Sequence, residues 1–248
     1  MKIKIWSSVL IGIISVHYTV ALAQELPGFG LDRTRVVFPA DAENGVMFTV
    51  NNNTETDYLV QALVAPVSNN MISPLPSEAG DISPPFIVVP PLLRLDSHGQ
   101  QGFRIIRKAG SLPADRESVF TLLVKGIPNT PLSKTAGQGV LRLAIAVNSK
   151  LFYRPAGLPA GGVKAASKML HFNWANGGLQ VNNPSPFYLT FARLVVGGKA
   201  VPSALEQNMI PPFGQKVYTF PHSAGASVAW QLLDERGEAT PEQRATLK

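Results

Sequence analysis

Between Gly139 and Pro155 the large apolar residues fall at Leu141, Leu143, Ile145 and Val147, every second position. A period of two puts them on one face of a β-strand, with Arg142, Ala144, Ala146 and Asn148 on the other. The pattern leaves two arrangements open. Either the large-apolar face fills the protein's own core, or the small face packs inward and the large one is left for a partner. Lys150 follows, then Leu151-Phe-Tyr-Arg-Pro155, where Pro155 ends the pairing.

The rest of the chain repeats this grammar. Short alternating runs are separated by Gly, Pro, Asn and Ser, and helical periodicity is nearly absent, which predicts an all-β fold. In the first half, strands are expected at Leu31–Phe38, Gly45–Asn51, Tyr58–Ala65, Gln101–Arg107 and Glu117–Lys125. Phe86–Arg94 carries Pro90-Pro91, so it is expected to be an edge strand or to switch between sheets. Pro66–Pro85 and Ile127–Gln138 read as loops. Leu158-Pro-Ala-Gly-Gly162 is the candidate linker. Beyond it, strands are expected at Leu170–Trp174, Gly178–Asn182, Tyr188–Val196, Gln215–Phe220 and Val228–Leu233, and Gly237–Lys248 as a polar, mobile tail.

The N-terminus changes the picture. Lys2 and Lys4, an apolar run over Ile5–Val20 and Ala21-Leu-Ala23 predict a secretory signal peptide cut before Gln24. The run is short for a membrane span and is dotted with polar residues. Loss of the two lysines lowers the net charge from +6 to +4. The remaining Lys and Arg are scattered, with no aromatic platform among them, which argues against nucleic-acid binding and suits a partner bearing carboxylates. There is no cysteine, which removes thiol catalysis, cysteine-zinc sites and disulfides although export would permit them. His98, His171 and His222 lie outside any catalytic or zinc motif, and no glycine-rich phosphate cradle is present. No enzyme activity, metal or cofactor is expected.

Five stretches in register resemble the periplasmic pilus (fimbrial) assembly chaperones of the chaperone–usher pathway. They are Leu31-Asp-Arg-Thr-Arg-Val-Val-Phe38, Leu112-Pro-Ala-Asp-Arg-Glu-Ser-Val-Phe120, Lys150-Leu-Phe-Tyr-Arg-Pro155 with the strand before it, Asn183-Pro-Ser-Pro-Phe-Tyr-Leu-Thr190 and Leu233-Asp-Glu-Arg-Gly237. Asp57 and Ala62 depart from the pattern, standing where members often carry a Pro and a Trp. The resemblance implies two immunoglobulin-like sandwiches joined by a short hinge in an L, with domains over 24–157 and 158–248. The sandwich architecture and strand donation to pilins are both established for this family.

By that resemblance Arg35 and Lys150, which alone would read as solvated surface charges, converge in the cleft between the domains. There they bind the C-terminal carboxylate of a pilin. Leu141, Leu143, Ile145 and Val147 become a donor strand that completes the unfinished sandwich of the pilin. Each side chain buried in this way contributes about 1.5–3 kcal/mol. Glu117, Arg154 and Asp234 form an ion network at the hinge. The implied partners are pilin subunits and an outer-membrane usher, in the periplasm, with no nucleic acid. An exposed donor strand also predicts self-association. The alternative is a structural pilin or adhesin subunit. Such a protein would carry a long donor extension after the signal peptide, and Gln24–Gly30 is short and broken by Pro27.

Overall fold

The computed structural model describes residues 28–67, 84–129, 143–175, 177–201, 209–222 and 225–247. The first half builds β1 (Phe29–Leu31), β2 (Arg35–Pro39), β3 (Val46–Asn52), β4 (Tyr58–Pro66), β5 (Phe86–Val89), β6 (Leu92–Leu95), β7 (Gln100–Arg107), β8 (Ser118–Pro128) and β9 (Ile145–Arg154). They form two sheets, β1-β3-β7-β5 and β2-β9-β8-β4-β6. Alternating residues from both sheets fill the space between them. Val60, Ala62 and Val64 of β4 meet Phe48 of β3 and Phe103 and Ile105 of β7, while Leu59 and Gln61 face out. The Phe48 and Phe103 rings stack with centroids 5.4 Å apart.

Two strands switch sheets. The break at Pro90-Pro91 was legible in the sequence, and β5 and β6 fall in opposite sheets on either side of it. The expected single strand Leu31–Phe38 also splits, into β1 and β2. Its corner is made by Asp32, whose N–H donates to Thr49 O at 3.0 Å and whose Oδ1 accepts Thr49 N–H at 3.1 Å. The departure at Asp57 is accommodated. Its carboxylate accepts Ser97 N–H and Arg94 Nη2, each at 2.8 Å, and closes the β4–β6 end.

The second half holds α1 (Gly162–Ala166), β10 (His171–Ala175), β11 (Gly178–Asn182), β12 (Leu189–Val196), β13 (Lys199–Ala200), β14 (Met209–Ile210), β15 (Gln215–Tyr218), β16 (Ser227–Leu232) and β17 (Gln243–Thr246). Sheet β10-β11-β15 covers sheet β13-β12-β16-β17, and β14 adds to β12. A separate core forms around Leu179, Val181, Phe191, Ile210 and Leu232. The one helix among the described residues is tied down by Trp230, whose Nε1 donates to Ser167 O at 2.9 Å. The expected mobile tail is instead ordered. β17 pairs with β16 from Ser227↔Thr246 to Trp230↔Gln243, and Leu247 is 2% exposed.

The two halves share a device that sequence reading missed. Asn52 ends β3 and Asn183 follows β11, and both side chains are buried. The Asn52 amide donates to Thr56 O and Asp96 O, both at 2.8 Å, while its Oδ1 accepts Thr54 N–H and Oγ1–H. The Asn183 amide donates to Phe187 O at 2.8 Å and Pro211 O at 2.9 Å, while its Oδ1 accepts Ser185 N–H and Oγ–H. Each pins two loops to the end of its sandwich.

Candidate functional site

The ladder between β2 and β9 is parallel and starts at Arg35↔Lys150, ending at Pro39↔Arg154. Val36 and Phe38 on β2, and Leu151 and Tyr153 on β9, enter the first core. Alternation therefore turns Arg35 and Val37, and Lys150, Phe152 and Arg154, to the opposite face, toward the second half. Arg35 and Lys150 stand side by side there on strands about 4.8 Å apart. The structure brings the two sequence-predicted cations together although they are far apart in the chain.

Arg35 is held as well as placed. Its Nη1 donates to Leu233 O at 3.2 Å, and its guanidinium lies 5.5 Å from the centroid of the Phe152 ring. It is 8% exposed, and its buried Nε has no hydrogen-bond partner among the described residues. Burial pulls its pKa below the ordinary value, while Asp234, Glu117 and Glu235 pull it back up. A guanidinium stays protonated regardless, so the site keeps its charge and one unspent donor.

N-terminal to Lys150, β9 runs out beyond the start of β2. Leu151 and Tyr153 are buried and Val147 packs against the core edge, but Ile145 is 36% and Leu143 69% exposed. Ile145, Val147, Leu151 and Tyr153 share one face of β9 and Leu143 precedes them in the same alternation, so the apolar row continues the core face past the start of β2. Of the two arrangements the sequence left open, the small face does not pack here, since Ala144 and Ala146 are exposed. Leu141 lies outside the described residues. On one edge β9 pairs with β8 from Gly126↔Ile145 to Ser118↔Tyr153. On the other, β2 begins only at Lys150, and among the described residues no strand lies along that edge before it. Exposed alternate side chains beside an open edge are what strand addition requires.

The hinge carries the third predicted set, with one correction. Arg154 donates from Nε and Nη2 to Glu117 Oε1 at 3.0 and 2.8 Å, and both residues are buried. Its second acidic partner is Glu235, at 3.1 Å, and not Asp234. The Asp234 Oδ1 accepts the N–H groups of Arg236 and Glu238, each at 2.9 Å, so it caps its own turn. The turn closes through Gly237 at φ 86 and leaves the next carboxylate to reach Arg154. Asp234 also contributes its negative field at Arg35. Glu117 also accepts Tyr188 N–H at Oε2, at 2.9 Å. Burial pushes its carboxyl above the usual range, against the pull of Arg154 and Tyr188 N–H. Glu235 had one signal in the sequence, its place beside Asp234. Pro159 O, which accepts from Arg154 Nη1 at 3.2 Å, had none.

Among the described residues, no group of three or more His, Asp or Glu could hold a metal, and no helix is long and apolar enough to cross a membrane.

Residues 28–159 match the N-terminal domain of PapD, described as a pili and flagellar-assembly chaperone, and residues 165–244 match the C-terminal domain of the PapD pili assembly chaperone. The chain belongs to the pilus assembly chaperone family. Chaperone protein FocC of Escherichia coli is 31% identical over 247 residues, spanning 99% of this chain and 100% of FocC. Among solved structures, the E. coli chaperone DraB is 31% identical with a TM-score of 0.73, covering 89% of this chain and 97% of DraB. A chain of the Salmonella enterica SafA pilin–SafB chaperone complex is 28% identical with a TM-score of 0.74, covering 91% and 99%. The resemblance drawn from the five motifs and the two-domain, all-β expectation are both borne out. This pilus chaperone thus falls in a class defined by assisting assembly and not by catalysis.

Proposed function

We propose that this pilus chaperone binds pilin subunits in the periplasm, completes their fold by strand donation and passes them to an outer-membrane usher. The observation that carries the reading is the overhang of β9. An open edge and an exposed apolar row run directly into the Arg35–Lys150 pair. The terminal carboxylate of a pilin, held by both cations, would fix register, because a slip of one residue turns every donated side chain to the wrong face. Charge-assisted hydrogen bonds of this kind contribute about 1.5–3 kcal/mol each, and each apolar side chain buried in the pilin contributes a similar amount. Release follows when the extension of another pilin replaces the β9 overhang, so no nucleotide or cofactor is required. The signal-peptide features at residues 1–23 support the periplasmic assignment. Domain limits of 24–157 and 158–248 rest on the two separate cores and on β9 ending at Arg154.

The test is purification from a periplasm co-expressing candidate pilins. The reading expects one pilin to co-elute in an equimolar complex. Elution of the chaperone without any of them would overturn it.

A further inference from the structure

Besides the turn at Leu233–Glu235, which holds Arg35 and Arg154, the second domain meets the first through two loops, and one side chain ties these two together. In the first loop, Pro186 O accepts Glu117 N–H at 2.9 Å, Tyr188 N–H donates to Glu117 Oε2 at 2.9 Å, and the Phe187 ring lies 5.0 Å beneath the Arg154 guanidinium. In the second, Phe213 lies 5.0 Å beneath the Arg116 guanidinium. Phe213 adopts φ 52, a conformation costly for a residue with a Cβ, and its N–H donates to Ser185 O at 3.1 Å. Asn183 sits between the loops. Its amide donates into the first at Phe187 O and into the second at Pro211 O, and its backbone N–H donates to Gly214 O at 2.8 Å.

We propose that Asn183 is a positioning residue for the angle between the domains, because its buried amide fixes together both loops that grip Glu117, Arg154 and Arg116. Without it, Phe187 O and Pro211 O lose their buried donors, the two loops are left joined by the backbone bonds at Ser185 O and Gly214 O alone, and their hold on the first domain loosens. The cleft that holds Arg35 then samples a wider range of openings. The effect on pilin binding rests on the proposed function, whereas the effect on geometry does not.

The twin pin at Asn52 supplies the control. It lies at the Tyr58–Pro128 end of the first sandwich, whereas Glu117 precedes the opposite end of β8. The 11 residues of that strand separate the two by roughly 35 Å. The chain has no cysteine, so Gln101→Cys and Lys199→Cys, both exposed, place one spin label on each domain without competing thiols. Interdomain distance distributions are then compared for Asn183→Ala, Asn52→Ala and the parent. Ser185→Ala, which removes the hydroxyl donor to Asn183 Oδ1 and leaves the Asn183 amide in place, is the milder companion if Asn183→Ala fails to fold.

The expected result is a broadened distribution in Asn183→Ala, or in Ser185→Ala to a lesser extent, and an unchanged one in Asn52→Ala. If the docked fraction falls to about a tenth, apparent affinity for a pilin weakens about tenfold. An unchanged distribution in the folded second-domain variant overturns the proposal, as does equal broadening in Asn52→Ala. If the parent retains no pilin at all, the strand-donation reading fails, and the distance measurement still decides the role of Asn183.

Discussion

Arg35 and Lys150 are partners in the first rung of the parallel β2–β9 ladder, so two cations share one face at the point where the open edge of β9 ends. Like charges set side by side are destabilising unless an anion joins them. Asp234, Glu117 and Glu235 supply part of that field from the hinge. A carboxylate arriving along the β9 edge would supply the rest.

Arg35→Ala and Lys150→Ala are expected to fold and be exported but to lose pilin retention by about tenfold or more each, the size of one charge-assisted hydrogen bond. Co-purification with the cognate pilin measures this. Because Arg35 also contacts Leu233 O and Phe152, its variant should melt slightly lower than the parent. Full retention by both would remove the anchor.

Leu143→Glu should abolish pilin binding while leaving the melting temperature of the free chaperone nearly unchanged, because Leu143 is exposed. Ala144→Glu, on the other face and also exposed, should leave both fold and stability intact. Unfolding of the free protein by Leu143→Glu would mean that the apolar row is already packed.

At the hinge, Arg154→Ala strands the buried Glu117 carboxylate and is expected to cost about 3–5 kcal/mol. Glu235→Gln should cost less, since Glu117 still pairs with Arg154. Asp234→Asn should cost least, because an Asn side chain keeps the Oδ1 acceptor that caps the turn. Denaturant melts rank the three. A larger loss from Asp234→Asn than from Glu235→Gln would return the ion pair to Asp234.

Leu247→Ala should destabilise the second domain by about 2–5 kcal/mol, as for other buried Leu truncations. A change within about 0.5 kcal/mol, the range of ordinary surface sites, would mean that the C-terminal strand contributes nothing.

What was legible in the sequence follows from side-chain burial. Tyr58–Pro66 and Gly178–Asn182 each bury alternate residues, so period and Gly or Pro punctuation located them. β17 was missed because three of its four residues are exposed and the fourth is half-buried. It is held by backbone pairing to β16, and only Leu247 betrays it. The corner at Asp32–Thr34 carries neither Gly nor Pro, and side-chain bonding to Thr49 makes it. Asp234 and Glu235 are chemically alike and adjacent, and only the turn decides which one faces Arg154. The Asn52 and Asn183 pins hid for a related reason. A buried amide looks in sequence like any turn asparagine, and its carbonyl partners carry no side-chain signature.

The most direct test of strand donation is amide hydrogen exchange along β9, in the free chaperone and in complex with its pilin. The account predicts that Ile145 to Val147 exchange more readily in the free protein than Leu151 to Tyr153 and become strongly protected on binding. Unchanged exchange at Ile145 to Val147, with new protection elsewhere on the chain, would contradict it.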